Sequence, residues 1–254
     1  MVLKNFYSEI ITLPGSFGKH EVKLSHLVPR DDCGIAALLF HGVHSSANLS
    51  VHSKYSYLAN LLAARGITPW LCETSRRTTV KDKDSLSPIE WVMEIFGGKT
   101  FKDELADCET ALRYVAEHTQ KRLWLWGFSL GGIIAALLAC VVPVDRVILS
   151  GSGAFSMPDA ERDMMPLPIL STLRESISLD VLKNFAAKKI TAFRGTEDAI
   201  FSSDACRALV DMINIPKESK KYFEIDGADH SFKKRNGKYD LKVMDEMLSL
   251  LMAQ

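Results

Sequence analysis

The residues of this chain whose types and spacing could do chemistry centre on Gly127-Phe128-Ser129-Leu130-Gly131. In a G-x-S-x-G pentapeptide set between a strand and a helix, the serine takes a strained backbone conformation in a very tight turn. A side chain at either glycine would collide with the neighbouring chain. The turn pushes the hydroxyl out above the sheet and sets it at a helix N-terminus, where the dipole favours developing negative charge. A neutral serine hydroxyl is a poor nucleophile, so a base must come within hydrogen-bond reach. The chain offers seven histidines. His20 and His26 lie in an N-terminal hairpin and His118 near the polar end of a helix; these read as surface or structural residues. His41, His44 and His52 surround a first glycine loop, and His230 lies in a loop directly after a predicted strand.

The elements around the pentapeptide supply the context it needs. Arg122 to Trp126 is a short apolar, aromatic run of buried-strand type, and Ile133 to Val142 reads as a buried helix. Upstream, Phe6–Thr12 and Glu21–Val28 alternate about Pro14-Gly15-Ser16-Phe17-Gly18, a hairpin signal. Ile35–Phe40 is a buried strand, Tyr55–Arg65 a helix stopped by Gly66, and Ile67–Cys72 a strand. Leu86–Phe96 is a short aromatic segment. Thr100 is an N-cap for a helix to about His118, with Asp103 and Glu104 in its first turn. Asp145–Ser150, Lys189–Phe193 and Lys221–Ile225 are strands, and Cys206–Ile213 and Leu241–Met252 are helices. Strands alternating with helices in this way imply an α/β fold with a mostly parallel sheet covered on both faces. One domain, 1–254, is expected, with an insertion at about 151–188 that carries Pro158, Pro166, Pro168, Met157, Met164 and Met165.

Composition narrows the field. A length of 254 with 47% apolar and 24% charged residues suits a globular domain able to bury a large core. Lysine plus arginine equals aspartate plus glutamate, so nothing in the charge balance points to nucleic acid or an anionic membrane. Cys33, Cys72, Cys108, Cys140 and Cys206 are odd in number and form no C-x-x-C pair, which favours a reducing compartment over a disulfide framework. The N-terminal residues lack a signal-peptide pattern and no apolar run spans a bilayer, so a cytoplasmic protein with no integral membrane segment is expected. A homodimer is left open.

With Ser129, the glycine loop at His41-Gly42-Val43 and a histidine after the last strand in hand, the chain resembles the α/β-hydrolases over nearly its whole length. The resemblance implies an order of motifs: oxyanion loop, elbow serine, acid, histidine. By it, His230 is the base, a position that also suits a parallel sheet, which gathers its active residues where strands end. Asp198, in Gly195-Thr196-Glu197-Asp198, is similar to the family's acid, whose task is to hold the imidazole in the right tautomer. Glu197 is the close rival, and Asp226 and Asp229 are weaker ones. The oxyanion donors implied are the backbone N–H groups of Val43 and Leu130, with His41 bracing the loop. The resemblance places a cap at 151–188, over a pocket that Trp91–Phe96 would also wall. Arg76 and Arg77 follow a strand end where they could meet an anionic group; a solvated basic loop is the plainer reading.

The activity implied is that of a serine hydrolase acting on a small-molecule carboxylic ester through an acyl-enzyme, and the resemblance extends to the cinnamoyl/feruloyl esterase and monoacylglycerol-lipase-like branch. No cofactor and no metal is expected, since His41, His44 and His52 lack a carboxylate or cysteine at a ligand spacing. An acyl thioesterase or monoacylglycerol lipase would use the same groups, and a non-catalytic ligand-binding relative would use the same fold.

Overall fold

The computed structural model describes residues 7–43, 46–51, 53–77, 85–155, 168–176, 178–234 and 242–254. His44, His52, Met157, Pro158, Met164, Met165 and Pro166 lie outside them. An eight-stranded sheet runs through the molecule in the order β1-β2-β4-β3-β5-β6-β7-β8. The strands are β1 (Tyr7–Pro14), β2 (Glu21–Val28), β3 (Ile35–Phe40), β4 (Ile67–Glu73), β5 (Arg122–Phe128), β6 (Arg146–Ser150), β7 (Lys189–Gly195) and β8 (Lys220–Ile225). β1 pairs antiparallel with β2, and β2 with β4; every other neighbour is parallel.

Burial on both faces explains the near-continuous apolar strands. All six residues of β3 are buried, and so are all five of β6. Successive side chains point to opposite faces, so one strand feeds two cores. Ala36, Leu38 and Phe40 join a layer with Ile134, Leu138, Leu112 and Val115. Ile35, Ala37 and Leu39 join the opposite layer with Leu58, Leu62, Met247 and Leu248. The first layer is covered by α2 (Pro88–Phe96), α3 (Phe101–His118), α4 (Leu130–Leu138) and α5 (Ser203–Met212); the second by α1 (Lys54–Ala64) and α6 (Lys242–Met252).

Local chemistry sets several of these boundaries. Thr100 and Asp103 form a capping box at the start of α3, and Ser87 and Glu90 form another at the start of α2. The segment read from sequence only as aromatic is therefore a helix, with Val92, Ile95 and Phe96 in the core. Gly66 ends the turn after α1 at φ +79, and an added Cβ there would stand 2.3 Å from the Asp31 carbonyl oxygen. Between β6 and β7 the described chain forms two single helical turns, Pro168–Ser171 and Leu173–Ser176, and a 3₁₀ turn, Leu179–Asn184. Ile169, Leu182 and Phe185 of this stretch pack into the first layer.

The topology creates one crevice. β4 lies on one side of β3 and β5 on the other, so the loops that leave β3 and β5 diverge at the C-terminal edge of the sheet. Open α/β sheets bind their ligands at such a switch point.

Candidate active site

Ser129 sits where β5 passes into α4, with φ 54 and ψ −121. This is the left-handed side of backbone space that residues with a Cβ enter at a cost of about 1–3 kcal/mol. The surroundings hold it there. The Ser129 amide donates to the Ser150 carbonyl at 2.8 Å, and its own carbonyl accepts from the Ser152 hydroxyl at 2.7 Å and the Gly132 amide at 2.9 Å. A Cβ on residue 127 would stand 2.0 Å from the Gly131 carbonyl oxygen, and one on residue 131 would stand 2.5 Å from that of His41. Both glycines are steric necessities of the turn.

The structure brings His230 and Asp198 to this serine. His230 Nε2 lies 3.0 Å from Ser129 Oγ, and His230 Nδ1 lies 3.0 Å from Asp198 Oδ2. Asp198 follows β7 and its side chain is fully buried. Its second oxygen accepts from the amides of Ile200 at 2.8 Å and Phe201 at 3.0 Å. Burial works to raise the Asp198 pKa. The hydrogen bond and charge of His230, with the two amides, outweigh it and hold the carboxyl below its ordinary value. A buried carboxylate that accepts at both oxygens is ionised and fixed in direction.

The rival acids are placed elsewhere. Glu197 is exposed, and its amide donates to Ala228. Asp229 turns its carboxylate onto the amides of Ser231 and Lys233, both at 2.8 Å, and so shapes the loop that carries His230. The Asp226 carbonyl accepts from Lys234. Of the four, Asp198 is the one on the imidazole.

Gly42, after β3, closes the other side. A Cβ there would come within 3.2 Å of Ser129 Cβ, tighter than an ordinary contact, so a bare backbone suits this close approach to the hydroxyl. Val43 follows, half-buried against the first layer, and Leu130 opens α4. His41 is buried, with its ring among Thr74, Glu104 and Arg76. Its Nδ1 lies 2.8 Å from the Gly42 carbonyl oxygen and its Nε2 lies 3.4 Å from the Thr74 amide nitrogen, which fits a neutral ring with its proton on Nδ1. Burial lowers its pKa, in keeping with that state.

Behind His41 lies a group of buried charges that the sequence did not reveal. Lys99 Nζ contacts Glu104 Oε2 at 2.6 Å, Asp107 Oδ2 at 2.8 Å and the Ser75 carbonyl at 2.6 Å, all three side chains being within 2% of complete burial. Asp107 also accepts from the amides of Ser75 and of Ser16, the latter in the β1–β2 turn. Glu104 is thus an ion-pair partner and not a surface charge on the helix dipole. Arg76 belongs to the same neighbourhood, 3.6 Å from Glu73, 3.4 Å from His41 Nε2 and over the Phe96 ring. It is not part of a solvated loop; Arg77, by contrast, is exposed.

Sequence reasoning passed over several residues that shape the site. Gly151 has φ +61, and a Cβ on it would lie 3.3 Å from His230 Nδ1 and 3.5 Å from Asp198 Oδ2. Phe201 lies 5.7 Å, ring to ring, from His230. Phe232, at φ +60 and 1% exposed, plugs the histidine loop into the second core. A glycine directly after a buried strand was the one signal available, at Gly151. Among the described residues, no group of three or more His, Cys, Asp and Glu side chains could hold a metal ion, and no helix is long and apolar enough to cross a membrane.

No family model and no curated protein matches the chain by sequence. Solved structures do match by shape. The esterase domain of a Rhodothermus marinus protein shares 16% identity at a TM-score of 0.65, over 97% of each chain. A soluble variant of the monoglyceride lipase of Saccharomyces cerevisiae, in complex with a substrate analogue, shares 14% identity at 0.68, over 99% of this chain and 97% of that one. The dienelactone hydrolase of Anabaena variabilis shares 17% identity at 0.61, over 96% of each. Strand order, the turn at Ser129 and these likenesses agree: the chain has the α/β-hydrolase fold.

Proposed function

We propose that the protein is a serine hydrolase that cleaves carboxylic esters through an acyl-enzyme. The observation that carries this reading is the unbroken row from Ser129 Oγ through the His230 ring to Asp198, with 3.0 Å at each contact. In the reaction, His230 Nε2 takes the Ser129 proton as Oγ attacks the substrate carbonyl, and returns it to the leaving alcohol. The backbone N–H groups of Leu130 and Val43 stabilise the oxyanion, and Asp198 holds the Nδ1–H tautomer and stabilises the imidazolium. A water deprotonated by His230 then releases the acid and frees the serine.

The segment 151–188 acts as a small cap within a single domain 1–254, and its apolar side chains suit a small to medium acyl or an aromatic acyl group. The esterase, lipase and dienelactone hydrolase among the structural neighbours are in keeping with an ester substrate. A thioester or a monoacylglycerol would be opened by the same groups. A cytoplasmic setting suits the free cysteines.

The test is hydrolysis of p-nitrophenyl esters of graded chain length, alongside the matching thioesters and monoacylglycerols, with Ser129→Ala as control. A product burst and covalent labelling of Ser129 by a fluorophosphonate are expected. Activity that survives Ser129→Ala rejects the mechanism, and a wild-type chain that neither turns over nor is labelled leaves a ligand-binding protein on a hydrolase fold.

A further inference from the structure

Lys54 occupies a position that helix α1 alone would not select. It is the first residue of the helix, where the dipole disfavours a cation, and it is half-buried. Its ammonium lies 4.5 Å from the centre of the Phe128 ring and 5.3 Å from that of Tyr55. It donates to the Ser231 carbonyl at 3.4 Å. Phe128 immediately precedes Ser129, and Ser231 immediately follows His230. One ammonium therefore touches the neighbour of each reacting side chain, from an element that supplies neither. The Phe128 ring is also the anvil for the histidine loop, since Phe232 meets it edge-on at 5.9 Å and Tyr55 at 5.2 Å.

We propose that Lys54 is a positioning residue of the hydrolase proposed above, tying the loop that carries His230 to the strand end that carries Ser129. The tie is not covalent and not part of the triad. It fixes the separation and tilt of the imidazole through the backbone on its far side, a geometry to which proton transfer is sensitive. Rotation of the loop away from Phe128 would give up both the ring contact and the hydrogen bond to Ser231.

The clamp has a titration of its own. Burial lowers the Lys54 pKa to about 8; the charge of Asp229 raises it and that of Lys233 lowers it. Both face the ammonium from the histidine loop, while Phe128 and Tyr55 present only uncharged rings to it. A neutral amine keeps a donor for Ser231 but loses the attraction to the ring face.

The experiment follows the second-order rate of fluorophosphonate inactivation, together with kcat and KM for a p-nitrophenyl ester, from pH 6.5 to 9.5. Wild type, Lys54→Met and Lys54→Arg are compared. Loss of one desolvated cation–ring contact and a charge-assisted hydrogen bond predicts a roughly ten-fold fall in kcat for Lys54→Met, with KM little changed. Wild-type rates fall as pH rises through about 8. Lys54→Met lacks this limb, and Lys54→Arg, charged throughout, carries full activity beyond it. Thermal unfolding of each variant separates positioning from misfolding. Rates in Lys54→Met that match wild type at every pH overturn the proposal, as does a limb that persists unchanged in either variant. A wild-type chain that is never labelled refutes the hydrolase reading instead, so the two failures are distinguishable.

Discussion

Asp198→Asn should abolish nearly all activity without unfolding the protein, and the structure says why. The acid uses its two oxygens for different partners: Oδ1 takes the amides of Ile200 and Phe201, and Oδ2 faces His230 Nδ1 at 3.0 Å. An asparagine has one carbonyl oxygen and one NH₂ group. Two backbone donors outvote one ring nitrogen, so the carbonyl stays on the amides and the NH₂ turns to the histidine. His230 Nδ1 must then accept, its proton moves to Nε2, and Nε2 presents a hydrogen to Ser129 Oγ where a lone pair is required. Inversion of this tautomer costs about 10³–10⁴ in kcat in serine enzymes with the same row, or about 4–5.5 kcal/mol of barrier. Because both amides keep their acceptor, the stability change is on the scale of one hydrogen bond, about 1 kcal/mol. The assay pairs steady-state ester hydrolysis with the rate of fluorophosphonate labelling, and both should fall together. Asp229→Asn is the control: its Oδ1 can still accept from Ser231 and Lys233, so activity should stay within a few-fold of wild type. Asp198→Asn enzyme that keeps a tenth of the wild-type rate or more, or equal losses in both variants, would refute the assignment of the acid.

Lys99→Met strands Glu104 and Asp107 in the interior and should cost about 3–5 kcal/mol, the usual penalty for breaking a buried ion pair on one side. For a chain of this size that is a drop of roughly 6–15 °C in thermal midpoint. In the wild type, burial tends to raise the Glu104 pKa, but Lys99 and His41 hold it below its ordinary 4.5, so its stabilisation is complete above that pH and is lost as pH falls through the lower folded value. In the variant the largest influence opposing burial is gone and the pKa rises, so the penalty is relieved as pH falls. Midpoints measured at pH 7 and in mild acid should converge; a constant gap would refute the assignment. Gly151→Ala places a methyl at φ +61 and 3.3 Å from His230 Nδ1, so it should lower the ester rate by ten-fold or more while costing about 1–2 kcal/mol of stability. A crystal structure of that variant with His230 unmoved and full activity would sink the prediction.

Much of this was legible in the chain. β3, β5 and β6 announced themselves because strands buried on both faces have no polar side to disguise them. Helix α3 was bounded correctly at Thr100 because its cap is local chemistry. Ser129, His230 and Asp198 stood at strand ends, and the sheet brought those ends together. Helix α4 begins at Leu130, three residues before the expected Ile133, because Gly131 and Gly132 look like turn residues until the close packing of β3 and Ser152 against them is seen. The Ser87–Glu90 box was present in the sequence and went unread. Lys99, Glu104 and Asp107 could not be found that way. Two acids three apart on a helix read as a wetted face, and only the arrival of Ser16, Thr74 and Ser75 from distant segments dries it. The same holds for Lys54, whose partners are a ring at the end of β5 and a loop 177 residues later.

The hydrogen bond from the Ser16 amide to Asp107 joins residues 91 positions apart, and it has a consequence for biosynthesis. The hairpin leaves the ribosome before α3, and its turn cannot close onto Asp107 until that helix has emerged, roughly 5–20 seconds later at ordinary translation speeds. Throughout that wait the Ser16 amide is without the acceptor that it has in the folded chain. Trimming the amino-terminal ribbon to simplify expression would therefore uncork a water-intolerant compartment at the heart of the molecule rather than shorten a dispensable flap.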